Sequence, residues 1–261
     1  MTEIKWYFPE SREEARKLLQ KEKTLAHAGG TSIINNPFKT KELVDLSLLG
    51  LDFFESNSKI IKIGSMNTYA GIVDKLKNED SEHLLVKSLE KSANTPLRNR
   101  ITIGGSVAAF PVWSDLMAAL IALKAKIHLQ NETDYSLSVE EYLNNKKELK
   151  KSLITQISFA NKSSDFFSYR FVRTSSDMPF FHLAISSNNE NTNIVVTGTS
   201  DRYNKLTKIE EYFADKKSKI DKNEIKEMLK VEFKGARIRD KEYLKHILSL
   251  QIYRGLTKLK R

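Results

Sequence analysis

The 261 residues contain no cysteine. That absence excludes disulfides, thiolate-held iron–sulfur clusters and a cysteine nucleophile from this chain. Histidine is sparse. His27, His83, His128, His182 and His246 form no pair at i, i+4 and have no carboxylate at ligand spacing, so no metal site is expected. Long hydrophobic runs are missing, and the apolar stretches are far shorter than a membrane span and cut by polar residues. Positions 1–10 are polar and carry Pro9. They lack the basic start, apolar stretch and small-residue cleavage site of an export signal, which reads as a cytoplasmic protein. No Ser–His–Asp, paired-carboxylate or other catalytic constellation stands out, so no catalytic side chain is assigned.

The residues that are present form a chain of ordinary globular composition. Forty per cent are hydrophobic, enough at this length for two packed units. The net charge of +10 comes largely from lysine-rich stretches at 145–151 and 216–230. Acidic residues are interspersed there, as on a solvated helical face. A basic docking surface for an acidic partner is the second reading, and no nucleic-acid motif supports a third.

The first 160 residues alternate short strand-like and helix-like runs. Helices are expected at 11–20, with Ser11 as cap and Glu14 at capping-box spacing, and at 68–76, 83–93 and 115–123. Strands are expected at 25–28, 42–46, 59–63 and 126–130. The stretch 153–159 alternates like a strand with one buried face, and polar 161–165 reads as a hinge. Strands near 166–172, 180–186 and 193–199 then precede helices at 205–213, 223–231 and 241–259. The expected fold class is α+β, with residues 1–160 as one domain (subdomains about 1–55 and 56–160) and 161–261 as a smaller domain holding a three-stranded antiparallel sheet and a helical bundle.

Two glycine segments carry the chemistry. In Ala26-His27-Ala28-Gly29-Gly30-Thr31-Ser32-Ile33-Ile34, paired glycines let the backbone turn tightly and approach a ligand. Their N–H groups and the Thr31 and Ser32 hydroxyls suit phosphate oxygens; an ordinary tight turn is the plainer reading. The second segment, Arg98-Asn99-Arg100-Ile101-Thr102-Ile103-Gly104-Gly105-Ser106-Val107-Ala108-Ala109, again brings β-branched residues to paired glycines. Ser114-Asp115 follow, suited to capping a helix or to reaching a dinucleotide. Neither segment fits G-x-G-x-x-G or the Walker pattern. Together they suggest a clamp on a diphosphate from two sides.

At these residues the sequence resembles the FAD-binding subunit of molybdenum hydroxylases, of the xanthine dehydrogenase and carbon monoxide dehydrogenase type, with a p-cresol methylhydroxylase-like FAD fold. Ala28-Gly29-Gly30-Thr31-Ser32 is similar to that family's Ala-Gly-Gly-Thr-Asp or Ala-Gly-Gly-His-Ser loop. Leu43-Val44-Asp45-Leu46 resembles its leucine-valine-aspartate strand, and Ile63-Gly64-Ser65-Met66-Asn67-Thr68 its Ile-Gly-Ala-x-Thr-Thr turn. The stretch 98–108 resembles its Arg-Asn-x-x-Thr-Ile-Gly-Gly-Asn-Ile-Ala signature, and is closer to that form than to the related UDP-N-acetylmuramate dehydrogenase branch. Ile154-Thr155-Gln156-Ile157, Tyr169-Arg170 and Asp177 keep the family's C-terminal order. Ser106, Arg170 and Ala160 stand where the family often has asparagine, lysine and proline.

The resemblance implies FAD as cofactor, lying between the N-terminal subdomains and under the C-terminal domain. It implies that the backbone of Ala26, His27, Ala28, Gly29, Gly30, Thr31, Ser32 and Ile33 and of Thr102, Ile103, Gly104, Gly105 and Ser106 holds the pyrophosphate. Ser114 and Asp115 would bind on the second side, with Ile154 and Arg170 near the isoalloxazine. It further implies an iron–sulfur subunit and a molybdopterin subunit as partners and NAD(H) as a possible small-molecule substrate, with no nucleic acid and no membrane. The alternatives are a cofactor-free basic binding or assembly module on the same fold, and a stand-alone flavin reductase. Trp6 and Tyr7 read as core or interface anchors, and Trp113 as a buried residue or one packed near the cofactor. His27 reads as structural or as polarising the cofactor, and the pairs Phe166-Phe167 and Phe180-Phe181 as sheet core.

Overall fold

The computed structural model describes residues 4–33, 42–162, 164–175, 177–188, 190–215, 220–233 and 240–259. Ile34, Ser163 and positions 216–219 of the sequence reading lie outside them. The chain separates into two compact units. Unit 1 comprises Met1–Ile72, Thr95–Ala109 and Lys124–Lys162; unit 2 comprises Val73–Asn94, Phe110–Leu123 and Ser163–Arg261.

Unit 1 contains two sheets. The first is parallel, in the order β1 (Lys5–Tyr7), β3 (Glu42–Asp45), β2 (Thr24–His27). Parallel neighbours need a crossover connection, and the helix α1 (Arg12–Leu19) lies between β1 and β2 in sequence. Ser11 accepts from the Glu14 N–H at 3.2 Å, as expected for the cap. The Glu14 carboxylate reaches back to the Glu10 N–H instead of closing the box on Ser11. Ala15 and Leu19 of α1 pack with Val44, Leu46, Leu49, Leu51 and Leu153. The second sheet is antiparallel, in the order β4 (Phe54–Ser56), β5 (Ile60–Gly64), β8 (Leu153–Ala160), β6 (Lys126–Gln130), β7 (Asp134–Ser138). Ser138 and Glu141 form a complete capping box on α7 (Val139–Asn144). The second glycine segment forms the short helix α5 (Ile103–Ala109). The β-branched run before it contributes only one bridge, Thr68 to Thr102, because Thr102 turns to accept the Gly105 N–H on its hydroxyl.

Unit 2 is built on an antiparallel sheet in the order β12 (Arg202–Lys205), β11 (Thr192–Thr199), β10 (Phe181–Ser187), β9 (Asp165–Phe171). Every residue of β10 is buried, so its alternation is hidden in composition and visible only in partners. Phe181, Leu183 and Ile185, with Ile194 and Val196 of β11, join one large cluster. That cluster also holds Ile209 and Phe213 of α8 (Thr207–Asp215), Ile225 of α9 (Lys222–Met228), and Leu244, Leu248, Ile252 and Leu256 of α10 (Lys241–Lys258). The opposite parity, His182 and Ala184, faces α3 (Leu84–Leu89) and α6 (Asp115–Ala122), following the two-residue period of a strand. The expected three-stranded sheet has four strands. Arg202-Tyr203-Asn204-Lys205 is polar throughout and sits at the edge, where β12 pairs only with β11; it offers no apolar alternation for a sequence pattern to detect. Phe181 is core and Phe167 and Phe180 pack against it, whereas Phe166 lies edge-on to His83 at 5.2 Å. No helix of the described residues is long and apolar enough to cross a membrane.

Candidate functional site

The first glycine segment leaves β2 at His27. The Leu46 N–H donates to the His27 carbonyl at 3.0 Å, and His27 Nδ1 lies 3.0 Å from an Asp45 carboxylate oxygen. Burial pushes the Asp45 carboxyl up, but hydrogen bonds from Ser47 and His27 outweigh it and hold the group below its usual value. Trp6 meets the His27 ring edge-on at 4.8 Å and is 42% exposed, a surface contact and not a core anchor. A Cβ at Gly29 would fall 1.6 Å from the Arg100 carbonyl oxygen, so only glycine lets the two glycine segments pack together here. The Ile33 N–H donates to the Gly30 carbonyl at 3.1 Å and closes the turn. Among the described residues, the N–H groups of Gly29, Gly30, Thr31 and Ser32 meet no acceptor.

The second segment behaves differently. Ile103 donates to the Asn67 carbonyl and Gly104 to the Ser65 carbonyl, each at 2.9 Å, and Ser106 to the Thr102 carbonyl at 3.0 Å. Gly105 donates to Thr102 Oγ1 at 3.2 Å. The Ser106 hydroxyl also turns inward, to the Thr102 carbonyl at 2.9 Å. The N–H groups of 103–106 are thus all engaged within the protein. A Cβ at Gly104 would stand 2.7 Å from Ser65 Cβ, so glycine allows the close approach of this helix to the 64–67 turn. Asn67 braces that turn by donating to the Phe53 and Gly64 carbonyls at 2.6 and 3.1 Å. Ser65 also donates its N–H to the Thr155 carbonyl at 3.0 Å, which ties the turn to β8 beside the buried Ile154. Two features are left over for a ligand. Gly105 is exposed amid buried neighbours, and the Ser65 hydroxyl is buried with no partner. Sequence reasoning missed Ser65, which stands where the resembling turn has alanine.

Ser114, Asp115 and Arg170 come together in unit 2. Ser114 caps α6, accepting the Met117 N–H at 3.2 Å, and its carbonyl accepts from the Thr197 hydroxyl at 2.8 Å. The buried Asp115 accepts from Ser92 Oγ at 2.7 Å and from Arg170 Nε at 3.0 and 3.2 Å. Arg170 also donates to the Asp177 carbonyl. Beneath the pair, fully buried His182 sits 2.8 Å from Ser168 Oγ; burial is the main cause that holds its ring below the usual histidine value. Neither Ser92 nor His182 was legible in the sequence, because each acts through a neighbour far away along the chain. Trp113 is 42% exposed, contrary to expected burial. Its flanking residues are fixed by their own backbone, Val112 by the Gly198 N–H and Ser114 by Thr197, and the indole is left outward. No cluster of metal-binding side chains occurs among the described residues.

Unit 1 therefore fits an anionic dinucleotide. It offers a run of unpaired N–H groups, an exposed glycine on the adjoining helix and an orphaned buried hydroxyl, each suited to phosphate or ribityl oxygens. Comparisons with known proteins agree. Residues 2–160 match the family model described as the FAD binding domain in molybdopterin dehydrogenase. The protein YgfM of Escherichia coli K12 is 29% identical over 142 residues, 53% of each chain. The nicotinate dehydrogenase FAD-subunit of Eubacterium barkeri is 27% identical over 139 residues, 50% of this chain and 47% of that one. The chain thus matches about half the length of these curated relatives. Among solved structures, quinoline 2-oxidoreductase from Pseudomonas putida 86 superposes with a TM-score of 0.82 at 17% identity, covering 98% of this chain and 96% of that one. Carbon monoxide dehydrogenase from Hydrogenophaga pseudoflava gives 0.83 at 16% identity, covering 98% and 97%. At such identities these structures establish the fold, and the family match establishes the cofactor as FAD. With more than half of its length matched over residues 2–160, the chain belongs to the family of FAD-binding domains of molybdopterin dehydrogenases.

Proposed function

We propose that this chain is the electron-transferring flavin subunit of a cytoplasmic molybdenum hydroxylase of the xanthine dehydrogenase or carbon monoxide dehydrogenase kind. In this reading it works beside an iron–sulfur subunit and a molybdopterin subunit, with NAD(H) as the small-molecule electron partner. The observation that carries it is the joined pair of glycine segments, Gly29 lying on the Arg100 carbonyl, in a chain with no cysteine. When bound, FAD supplies the exchange between single electrons from a cluster and a hydride to a nicotinamide. The chain's part is to bind and orient. The N–H groups of 29–32 and the Ser65 hydroxyl would hold the diphosphate, and Gly105 would leave room for it. Ile154 presents an apolar edge. Within unit 2, Ser114 caps α6 and Asp115 holds Arg170.

With no cysteine in these 261 residues, the clusters of this reading lie outside them. The name of one similar protein, a nicotinate dehydrogenase FAD-subunit, supports this division of labour. The test is to isolate the tagged chain from its native cells, analyse it for iron and molybdenum, and add NADH without oxygen. Iron and molybdenum in fixed ratio to flavin, with bleaching by NADH, are expected. Bleaching in a preparation free of both metals would contradict the proposal and make the chain a stand-alone flavin reductase.

A further inference from the structure

The first glycine turn is flanked by two basic side chains that the resemblance did not single out together. The point where Gly30 would carry a Cβ lies 2.9 Å from His27 Nε2 and 3.5 Å from Arg100 Nη2. The backbone beneath Arg100 is fixed. Its carbonyl supports Gly29, its N–H donates to the Leu97 carbonyl at 2.9 Å, and the Ile101 N–H donates to the same carbonyl at 2.8 Å. The guanidinium is exposed and has no carboxylate or carbonyl partner among the described residues. Asp45 instead accepts from Ser47 and lies 3.0 Å from His27 Nδ1. A positive charge on an anchored stem therefore lies beside Gly30, in the turn whose N–H groups 29–32 meet no acceptor among the described residues. A guanidinium is the side chain best shaped to take two oxygens of a phosphate at once.

We infer that Arg100 binds the diphosphate of FAD, its guanidinium closing over the first glycine turn, with His27, held by Asp45, as the neighbouring wall. This rests on the reading of that turn as the diphosphate site. The test is FAD affinity measured by flavin fluorescence, at low and high salt, for the wild type, Arg100→Met and Arg100→Glu. Circular dichroism checks folding, and an exposed side chain should leave it unchanged. A charge-assisted hydrogen bond corresponds to a loss of about 10- to 100-fold in affinity for Arg100→Met. Arg100→Glu should lose more, and the salt dependence of the wild type should flatten in both. A purely structural Arg100 would give neither that order nor the flattening. Wild-type affinity and salt dependence in both variants would overturn the inference while leaving the cofactor site standing. A wild type that binds no FAD would overturn both.

Discussion

His83 stands at the start of α3, where its Nδ1 accepts the Leu85 N–H at 3.2 Å and its ring packs edge-on against Phe166. Burial drives its pKa from 6.5 to about 4, only partly offset by Asp80 and Glu79. The unfolded chain takes up this proton as the pH falls below 6.5, the folded chain only near 4. The neutral ring therefore contributes stability that is full above 6.5 and is lost as the pH falls through the interval, roughly 3 kcal/mol in all. His83→Asn keeps an acceptor at the cap but does not titrate. Its unfolding free energy, measured in urea between pH 4 and 7, should fall less steeply than that of the wild type, and parallel curves would contradict this account. At this scale the sequence was partly legible. It marked Ser11 as a cap from spacing and left Ser114 between a cap and a dinucleotide contact, but His83 carried no such signal, because a histidine cap depends on which residues bury it.

Among elements, a charged link in unit 2 joins α6 to β9 through the largely buried pair Asp115 and Arg170. Removing one member of a buried pair leaves the other charge stranded, at a cost of about 3–5 kcal/mol. Asp115→Ala should therefore lower the stability of the cofactor-free chain by about that amount. Asp115→Ala with Arg170→Met should recover much of it, because the stranded charge is gone. Urea titrations of the three proteins decide, and a single variant within about 1 kcal/mol of wild type would show the pair to be dispensable. The sequence placed both residues in a cofactor site by resemblance, yet nothing in it pairs two positions 55 residues apart. The elements legible in advance were those with a clear apolar rhythm or an apolar run, such as β6, β8 and α6. The edge strand β12 and the helix α5 were not, the first because an edge needs no apolar face, the second because two glycines conceal helical propensity.

Over the whole molecule, the chain combines an unremarkable core with two segments of small residues in unit 1, and the second segment was the more specific in sequence. In space the roles divide. The generic segment keeps N–H groups at 29–32 that meet no acceptor among the described residues, while the specific one, 102–106, is locked onto the 64–67 turn and contributes shape and the exposed Gly105. Motif strength reflected packing constraints as much as ligand contact, since Gly104 must touch Ser65 and Gly29 must touch Arg100 for unit 1 to close. The net charge of +10 accords with a solvated basic surface and with an anionic cofactor, and by itself selects neither. The central claim is that this main-chain cradle grips FAD. Titration of the purified, cofactor-free chain with FAD, followed by flavin absorbance after gel filtration, tests it most directly. One FAD per chain is expected to stay with the wild type, and little or none with a folded Gly105→Trp variant, whose indole would fill the open position. A wild type that elutes colourless after micromolar FAD, or a Gly105→Trp protein as yellow as the wild type, would contradict it.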